Sequence, residues 1–318
     1  MNCFISSNTD IYYNLALEEF LLKKRSEDFF FLWRSEPTVV VGKHQNPYQE
    51  FDLIYAKENK INIARRLSGG GTVYHDLGNV NFTFIKNTEN GKQINLKQHS
   101  KPIFAALKQM GLDVNYSERN DFLINGKKFS GNAEHIYKNR VLHHGTILFD
   151  TDLFKLNRIL TNKYQQYNGK SLRSVKSRVA NLKPYFQNNI SILDFQKQLL
   201  KQVLSQSPEY VSSSPKKIFY FKEIENLIQE KYRTKEWIFN YTSKYELNNK
   251  FEFLGERASF YVKVEKGYIV DFKTQGLGED VSLELKKKLI NTQHIYKKIC
   301  EIFYRLPEEY KCLCKRIF

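Results

Sequence analysis

The sequence predicts an α+β protein built as two units, a larger one over residues 1–244 and a small α+β unit over 245–318. Three observations carry this expectation. Apolar residues recur at helical spacing in segments such as 10–25, 98–111 and 193–204. Between them lie short β-branched or aromatic runs bounded by turn residues. Near Tyr245 a polar, charged, helical texture gives way to an alternating strand meander. With 318 residues, 41% hydrophobic and 26% charged, the chain has the length for two domains and the apolar content of a globular protein.

The elements follow in order. DIYYNLALEEFLLKKR (10–25) reads as a helix with Asp10 as its N-cap and an apolar stripe of Leu15, Leu17, Phe20, Leu21 and Leu22. Its Glu18 and Glu19 precede Lys23 and Lys24 and read as an i,i+4 or i,i+5 charge face. FFFLWR (29–34) and TVVVGK (38–43) read as strands paired across SEP. Residues 51–60 form a helix, and 61–85 two strands joined by a glycine-dense loop. A helix over 98–111 stops at Gly111. The runs 112–117, 121–130 and 141–150 look like three strands of one sheet, and Asn125-Gly126 marks a tight turn. Residues 152–245 are helical and polar, with a local loop at SSSPKK (212–217). After 251–276, a meander, SLELKKKLI and IYKKICEIFYRL close the chain as two helices.

Composition excludes several classes. No apolar run approaches the roughly 20 residues of a membrane helix. MNCFISSNTDIYY lacks the basic and apolar regions of a secretory signal and is not an Arg- and Ser-rich transit helix. Cys3, Cys300, Cys312 and Cys314 make no disulfide framework, and no His–Cys spacing matches a zinc site, so a cytoplasmic protein with reduced thiols is expected. Lys plus Arg exceeds Asp plus Glu by 50 − 34 = 16. That excess fits nucleic acid, an acidic protein partner, an anionic small substrate, or simply a lysine-rich surface.

The densest chemical signal is Arg65-Arg66-Leu67-Ser68-Gly69-Gly70-Gly71-Thr72-Val73-Tyr74-His75-Asp76. Three glycines let backbone N–H groups converge on a ligand, and two arginines add forked donors for carboxylate or phosphate. No Gly-Lys-Ser/Thr follows, and GGG leads into a strand, so the loop is neither a Walker A nor a dinucleotide fingerprint. The alternative is a flexible hairpin loop.

The segment 120–133 offers Lys127 and Lys128 before Ser130-Gly131. Strand alternation turns them to opposite faces, so only one reaches a site. The alternative is two solvated lysines. Adjacent His143 and His144 also point oppositely and make no metal site by themselves; one packed and one solvated ring competes with a ligand-wall role. Arg173, Lys176 and Arg178, interleaved with serines, form a candidate anion-binding loop or a solvated one.

These pieces occur together and in order: Arg65–Asn79, Lys128 in KKFSGNA, HHGT at 143–146 and SVKSRVANL at 174–182. The set resembles the lipoate–protein ligase A family, including the lipoyltransferases. The likeness extends to LWR, VVVGKHQNPYQE, KEWIF and FYVKVEKGYIVDF, hence over nearly the whole chain. It implies a catalytic domain of biotin/lipoate protein ligase-like fold, a mostly antiparallel sheet flanked by helices, and a C-terminal accessory domain. It implies activation of lipoate with ATP and Mg2+ to lipoyl-AMP, then transfer to a lysine of a lipoyl-domain acceptor. Acceptors of the family are the E2 subunits of 2-oxoacid dehydrogenases and the glycine cleavage H protein.

By matching positions, the resemblance assigns lipoate to Arg65, Ser68, Gly69, Gly70, Gly71, His75, Lys128 and His144. It assigns ATP or the adenylate to Arg66, Gly71, Thr72, Val73, Tyr74, Asn120, Asp121, Lys128, Ser174, Lys176 and Arg178. Lys128 is the implied catalytic residue, and residues 174–182 the segment that closes over the adenylate. No residue is assigned to Mg2+.

The residue chemistry agrees with this assignment. Attack of a carboxylate on ATP joins two anions, for which arginines, backbone N–H groups and a lysine supply positive charge. A mixed anhydride has to be kept from water, and FLW (31–33) and VVV (39–41) suit an apolar slot. No cysteine lies near these motifs, which argues against thioester-forming relatives. A transferase using preformed lipoyl-AMP would carry the same loops. A nucleic-acid-binding protein would interleave basic and aromatic residues on one face, whereas here the basic residues that stand out gather at a glycine loop. Neither nucleic acid nor a membrane is expected as a partner.

Overall fold

The Asp10 carboxylate accepts the backbone N–H groups of Tyr12 and Tyr13 at 2.7 and 3.4 Å, so the first helix starts where its cap predicts. The structure, a computed structural model, describes residues 1–88, 95–160, 166–175, 177–213 and 221–318. The elements run β1 (Asn2–Ile5), α1 (Ile11–Lys24), β2 (Phe29–Trp33), β3 (Thr38–Val41), α2 (Pro47–Glu50), α3 (Leu53–Glu58), β4 (Asn62–Arg65), β5 (Val73–His75) and β6 (Asn79–Asn87). Next come α4 (Leu96–Gln109), β7 (Val114–Tyr116), β8 (Phe122–Ile124), β9 (Lys127–Ser130), β10 (Asn132–Tyr137), β11 (Arg140–Leu148), α5 (Leu153–Ile159) and β12 (Gln166–Gly169). The chain closes with α6 (Ile192–Leu204), β13 (Val211–Ser212), α7 (Phe221–Leu227), β14 (Tyr245–Phe253), β15 (Glu256–Glu265), β16 (Tyr268–Gln275), α8 (Glu279–Leu289), α9 (Tyr296–Phe303) and α10 (Glu308–Lys311).

The chain forms two compact units, one of Met1–Lys43, Asn62–Asn157 and Val175–Arg233, the other of His44–Ile61, Arg158–Ser174 and Thr234–Phe318. The first holds a six-stranded sheet in the order β10-β11-β6-β2-β1-β13 and two three-stranded sheets, β4-β3-β5 and β7-β8-β9. Among the strands described, pairing is parallel where β1 meets β2 and β13 and where β3 meets β4, and a single parallel bridge joins Lys128 to Val179. Every residue of β2 is buried, because α1 covers β6 and β11 on one face while α4 and α6 pack on the other. Strand alternation therefore sorts side chains into two layers. Phe30, Leu32, Phe82 and Phe84 join Ile103, Leu107, Phe195 and Leu199 in the core of the α4/α6 layer.

Three expectations about pairing are corrected. The strands at 29–34 and 38–43 do not pair with each other: β2 lies between β1 and β6, and β3 between β4 and β5. The 61–85 segment makes three strands, not two, and its first two both pair with β3. The runs at 112–150 divide between two sheets, with β7-β8-β9 in one and β11 in the other. In each case a strand buried on both faces takes distant partners, which a local apolar run does not encode. The turn at Asn125-Gly126 forms as expected, with φ of 48° and 72°.

The second unit is led by the antiparallel sheet β12-β14-β15-β16. The burial of β14 alternates residue by residue, and α8 and α9 bring Leu285, Leu289, Ile299 and Phe303 into the core with Phe260 and Phe272. Among the described residues, no helix is long and apolar enough to cross a membrane.

Candidate functional site

The site is built on the two-layer logic of the six-stranded sheet. His143 and His144 both lie in β11 and are both buried, on opposite faces, so neither is the solvated ring that the sequence allowed. His144 faces the α1 layer. Its Nδ1 lies 3.0 Å from both carboxylate oxygens of Glu18, and its Nε2 lies 2.6 Å from Ser68 Oγ. Thr83 donates its hydroxyl to Glu18 at 2.7 Å, and Trp33 donates its indole N–H to Thr83 at 2.9 Å. Arg66 Nε donates to Ser68 Oγ at 3.0 Å.

A carboxylate only accepts, so the network has one consistent direction. His144 donates from Nδ1, accepts at Nε2 from the Ser68 hydroxyl, and Ser68 in turn accepts from Arg66. The chain Arg66, Ser68, His144, Glu18, Thr83, Trp33 thus connects the glycine loop to α1 and the sheet. Glu18 corrects the sequence reading. It is only 1% exposed and is turned to His144 and Thr83, away from the charge face, whereas Glu19, itself only 4% exposed, does pair with Lys23, at 2.7 Å. Its place between Leu15 and Leu22 in the apolar stripe is the signal that marks it as inward. Trp33 and Thr83 carried no comparable sign.

The loop is shaped around Arg66. Besides Ser68, its guanidinium donates to the carbonyls of Val40 at 3.1 Å, Gly69 at 2.6 Å and Gly71 at 2.7 Å. Gly70 takes φ +83°, and a Cβ there would lie 3.1 Å from Arg66 Nη2. Burial pulls the Arg66 guanidinium down to about 10, partly offset by the charge of Glu18. Among the described residues, no carboxylate forms an ion pair with Arg66. A buried cation held only by neutral acceptors attracts an anion brought to the loop.

Arg65 is turned elsewhere, with Nη1 on the carbonyls of Gly42 and Lys43 at 3.0 and 2.8 Å. Thr72 and Tyr74 are buried and Val73 is partly exposed. His75 is buried beside Trp33, ring centroids 5.7 Å apart, and neither ring nitrogen has a hydrogen-bond partner. Burial, then the charges of Arg66 and His144, depress it to about 3, so it is a neutral imidazole near neutral pH.

The lysine hairpin lies beside this loop. Lys128 Nζ is 3.0 Å from Asp121 Oδ1 and would be 3.1 Å from a Cβ on Gly131. Lys127 is exposed, so Lys128 is the inward member of the pair. Asn120 sits at φ +62° and accepts on its carbonyl from Asn132 Nδ2 at 3.0 Å. A Cβ on Gly70 would lie 3.8 Å from that of Ala133, which joins the glycine loop to the start of β10 right after Gly131.

The segment at 174–182 reaches this hairpin through its backbone. Lys128 N–H donates to Arg178 O at 2.9 Å, and Ala180 N–H donates to Lys128 O at 3.0 Å, while the Arg178 side chain is exposed. Ser174 belongs to the second unit, where its backbone N–H and hydroxyl both bond to Glu50 and its hydroxyl accepts from Gln45 Nε2 at 3.1 Å. Lys176 lies outside the described residues. The structure thus gathers Arg66, Ser68, the three glycines, His75, His144, Asn120, Asp121 and Lys128 in one region, and leaves Arg65 and Ser174 tied to other groups.

The lipoyl protein ligase A/B catalytic domain family matches residues 10–204. The lipoate-protein ligase LplJ of Bacillus subtilis is 31% identical over 91% of this chain and 89% of its own. The mitochondrial lipoyl amidotransferase LIPT1 of Homo sapiens is 33% identical over 93% and 81%. Among solved structures, Plasmodium falciparum LipL1 in complex with lipoate superposes with a TM-score of 0.59 at 28% identity, covering 100% of this chain and 98% of that one. A lipoate-protein ligase A bound with ATP gives a TM-score of 0.60 at 25% identity, over 74% and 98%.

Proposed function

Because the chain belongs to the lipoyl protein ligase A/B family and is a lipoate–protein ligase, we propose that it activates lipoate with MgATP and then transfers the lipoyl group to a lysine of a lipoyl domain. The observation that carries this reading is the buried Arg66, ringed by Ser68 and the carbonyls of Val40, Gly69 and Gly71, with Lys128 across the start of β10. In the first step the lipoate carboxylate attacks the α-phosphorus of ATP and pyrophosphate leaves. The negative charge gathered at that phosphorus is met by Arg66, by N–H groups of the glycine loop and by Lys128, whose ammonium Asp121 holds over Gly131. Mg2+ enters with the nucleotide as part of the substrate. In the second step the acceptor amine attacks the mixed anhydride carbonyl, and AMP leaves with the bond electrons.

In this reading Lys128 is the catalytic residue. The glycine loop with His75 and His144 takes lipoate, and Arg66, Gly71–Tyr74, Asn120, Asp121, Ser174, Lys176 and Arg178 take the nucleotide. Residues 1–244 carry these contacts and 245–318 are accessory. Acceptors are the lipoyl domains of E2 subunits or the H protein, and the compartment is the cytoplasm. A complex of a relative with lipoate and another with ATP support both substrates.

The similarity to a lipoyl amidotransferase favours one second reading, transfer from preformed lipoyl-AMP without activation. The test is pyrophosphate release on mixing enzyme, lipoate and MgATP, alongside mass spectrometry of an apo lipoyl domain. Release together with gain of one lipoyl group is expected. Transfer from synthetic lipoyl-AMP without release would replace the ligase reading by the transferase one.

A further inference from the structure

The other face of the same ladder carries a second polar cluster that the reaction does not use. Glu134 in β10 pairs directly across from His143 in β11. His99, in the first turns of α4, reaches the same point. One oxygen of Glu134, Oε1, lies 2.7 Å from His99 Nδ1 and 2.9 Å from His143 Nδ1. The second oxygen, Oε2, accepts the backbone N–H of Asn95, the N-cap of α4, at 2.9 Å. His143 is fully buried, His99 is 14% exposed at its side chain, and one donor atom from each of the three residues lies within 4.8 Å of the others.

From this convergence we propose that His99, Glu134 and His143 form a binding site for a divalent transition cation of the Zn2+ class. Two imidazole nitrogens and one carboxylate oxygen suit Zn2+ or Co2+, whereas Mg2+ and Ca2+ take oxygen ligands, so this site is separate from the metal that accompanies ATP. Ligands about 2.1 Å from a tetrahedral ion stand about 3.4 Å apart. The observed separations of 2.7 and 2.9 Å fall about 0.5 to 0.7 Å short, an opening that side-chain rotation supplies without a change of fold. The Asn95 N–H fixes the free oxygen of Glu134, the outer support that metal-ligating carboxylates require.

His143 gives an independent sign. When both imidazoles donate from Nδ1 to Glu134, His143 Nε2 is a buried lone pair, and it has no hydrogen-bond partner. Its ring neighbours include Phe82 and Phe84, at centroid distances of 5.8 and 6.4 Å. Coordination through Nδ1 moves the proton to Nε2 and replaces that lone pair by an N–H, which aromatic rings tolerate better. A bound ion would fasten the first turn of α4 to the β10–β11 ladder, whose opposite face holds His144.

The test uses the full chain, freed of metal by chelation, titrated separately with Zn2+ against a chromophoric competitor and with Co2+ by visible absorption. One equivalent of each is expected, with cobalt ligand-field bands and no sulfur-to-cobalt charge transfer. His99→Gln and Glu134→Gln are each expected to weaken Zn2+ binding tenfold or more, and a Cys300→Ser/Cys312→Ser/Cys314→Ser variant to leave it unchanged. His99 is at the edge of the cluster, so its variant remains readable if changes at Glu134 impair folding. Absence of stoichiometric binding, unchanged affinity in His99→Gln, or loss of the site in the cysteine variant would overturn the proposal.

Discussion

Glu18→Ala is the sharpest perturbation of the buried network. It removes the acceptor of two donors, the Thr83 hydroxyl at 2.7 Å and His144 Nδ1–H at 3.0 Å, at a position where water has no access. A buried donor left without its partner costs about 1–3 kcal/mol. Two such losses sharing one site do not simply add, and about 3 kcal/mol is expected. For a unit of this size that lowers Tm by about 6–12 °C. Glu18→Gln separates geometry from charge. Its amide oxygen, placed at Oε1, still accepts from Thr83 and from His144 Nδ1–H, so the tautomer is kept while the negative charge is lost. The assays are thermal and urea unfolding, with 15N shifts of His144 reporting the tautomer. A loss below about 1 kcal/mol for Glu18→Ala, or a His144 proton found on Nε2 in the unaltered protein, would refute the directed chain.

Three further outcomes follow from the site. Lys128→Ala should abolish pyrophosphate release while Lys127→Ala is mild, since only Lys128 points inward; the reverse order would invert the assignment of faces. Gly70→Ala places a Cβ at φ +83° and 3.1 Å from Arg66 Nη2, so it should cost about 1–2 kcal/mol of stability and depress activation, read by unfolding and by pyrophosphate release. His75 is depressed from 6.5 to about 3 on folding, so between those values the unfolded chain binds the extra proton. Its neutral burial is free of penalty above pH 6.5 and costs progressively more as pH falls towards 3. His75→Leu should therefore flatten the acid side of the stability–pH curve, and an unchanged slope would contradict the burial of a neutral ring.

Local signals in the sequence proved reliable where the chain's immediate neighbours decide the structure. Asp10 caps α1, Asn125-Gly126 turns the β8–β9 hairpin, and the apolar period of 193–204 becomes α6. Pairing over long range was not legible. Nothing in FFFLW says that its partners are Asn2–Ile5 and Asn79–Asn87, because an all-apolar strand carries no face preference and no turn to fix its register. The opposite directions of His143 and His144 follow from alternation alone. Their partners Glu134, His99 and Glu18 come from elements up to 126 residues away, which only the folded chain brings to them. The clustering of Arg65, Arg66 and the glycines singled out this loop. It did not reveal that Arg66 is the inner template of that loop while Arg65 supports the neighbouring strand end.

The β10–β11 hairpin turns through Lys138 and Asn139, with Tyr137 and Arg140 as the last facing pair. Its length carries a parity. Inserting one residue at the tip, with the register of β11 kept from Arg140 onward, leaves the ladder intact. A one-residue slip within β11 instead exchanges the two histidines, sending one towards Glu18 that belonged with Glu134. Chain-length variation at the tip is thus expected to be harmless only when the ladder is not displaced by an odd step. Slips by two residues restore the faces but carry Gly145 away from its place opposite Asn132. The hairpin is therefore free to vary in tip sequence and strongly constrained in frame, which a library of tip insertions and strand deletions would display directly.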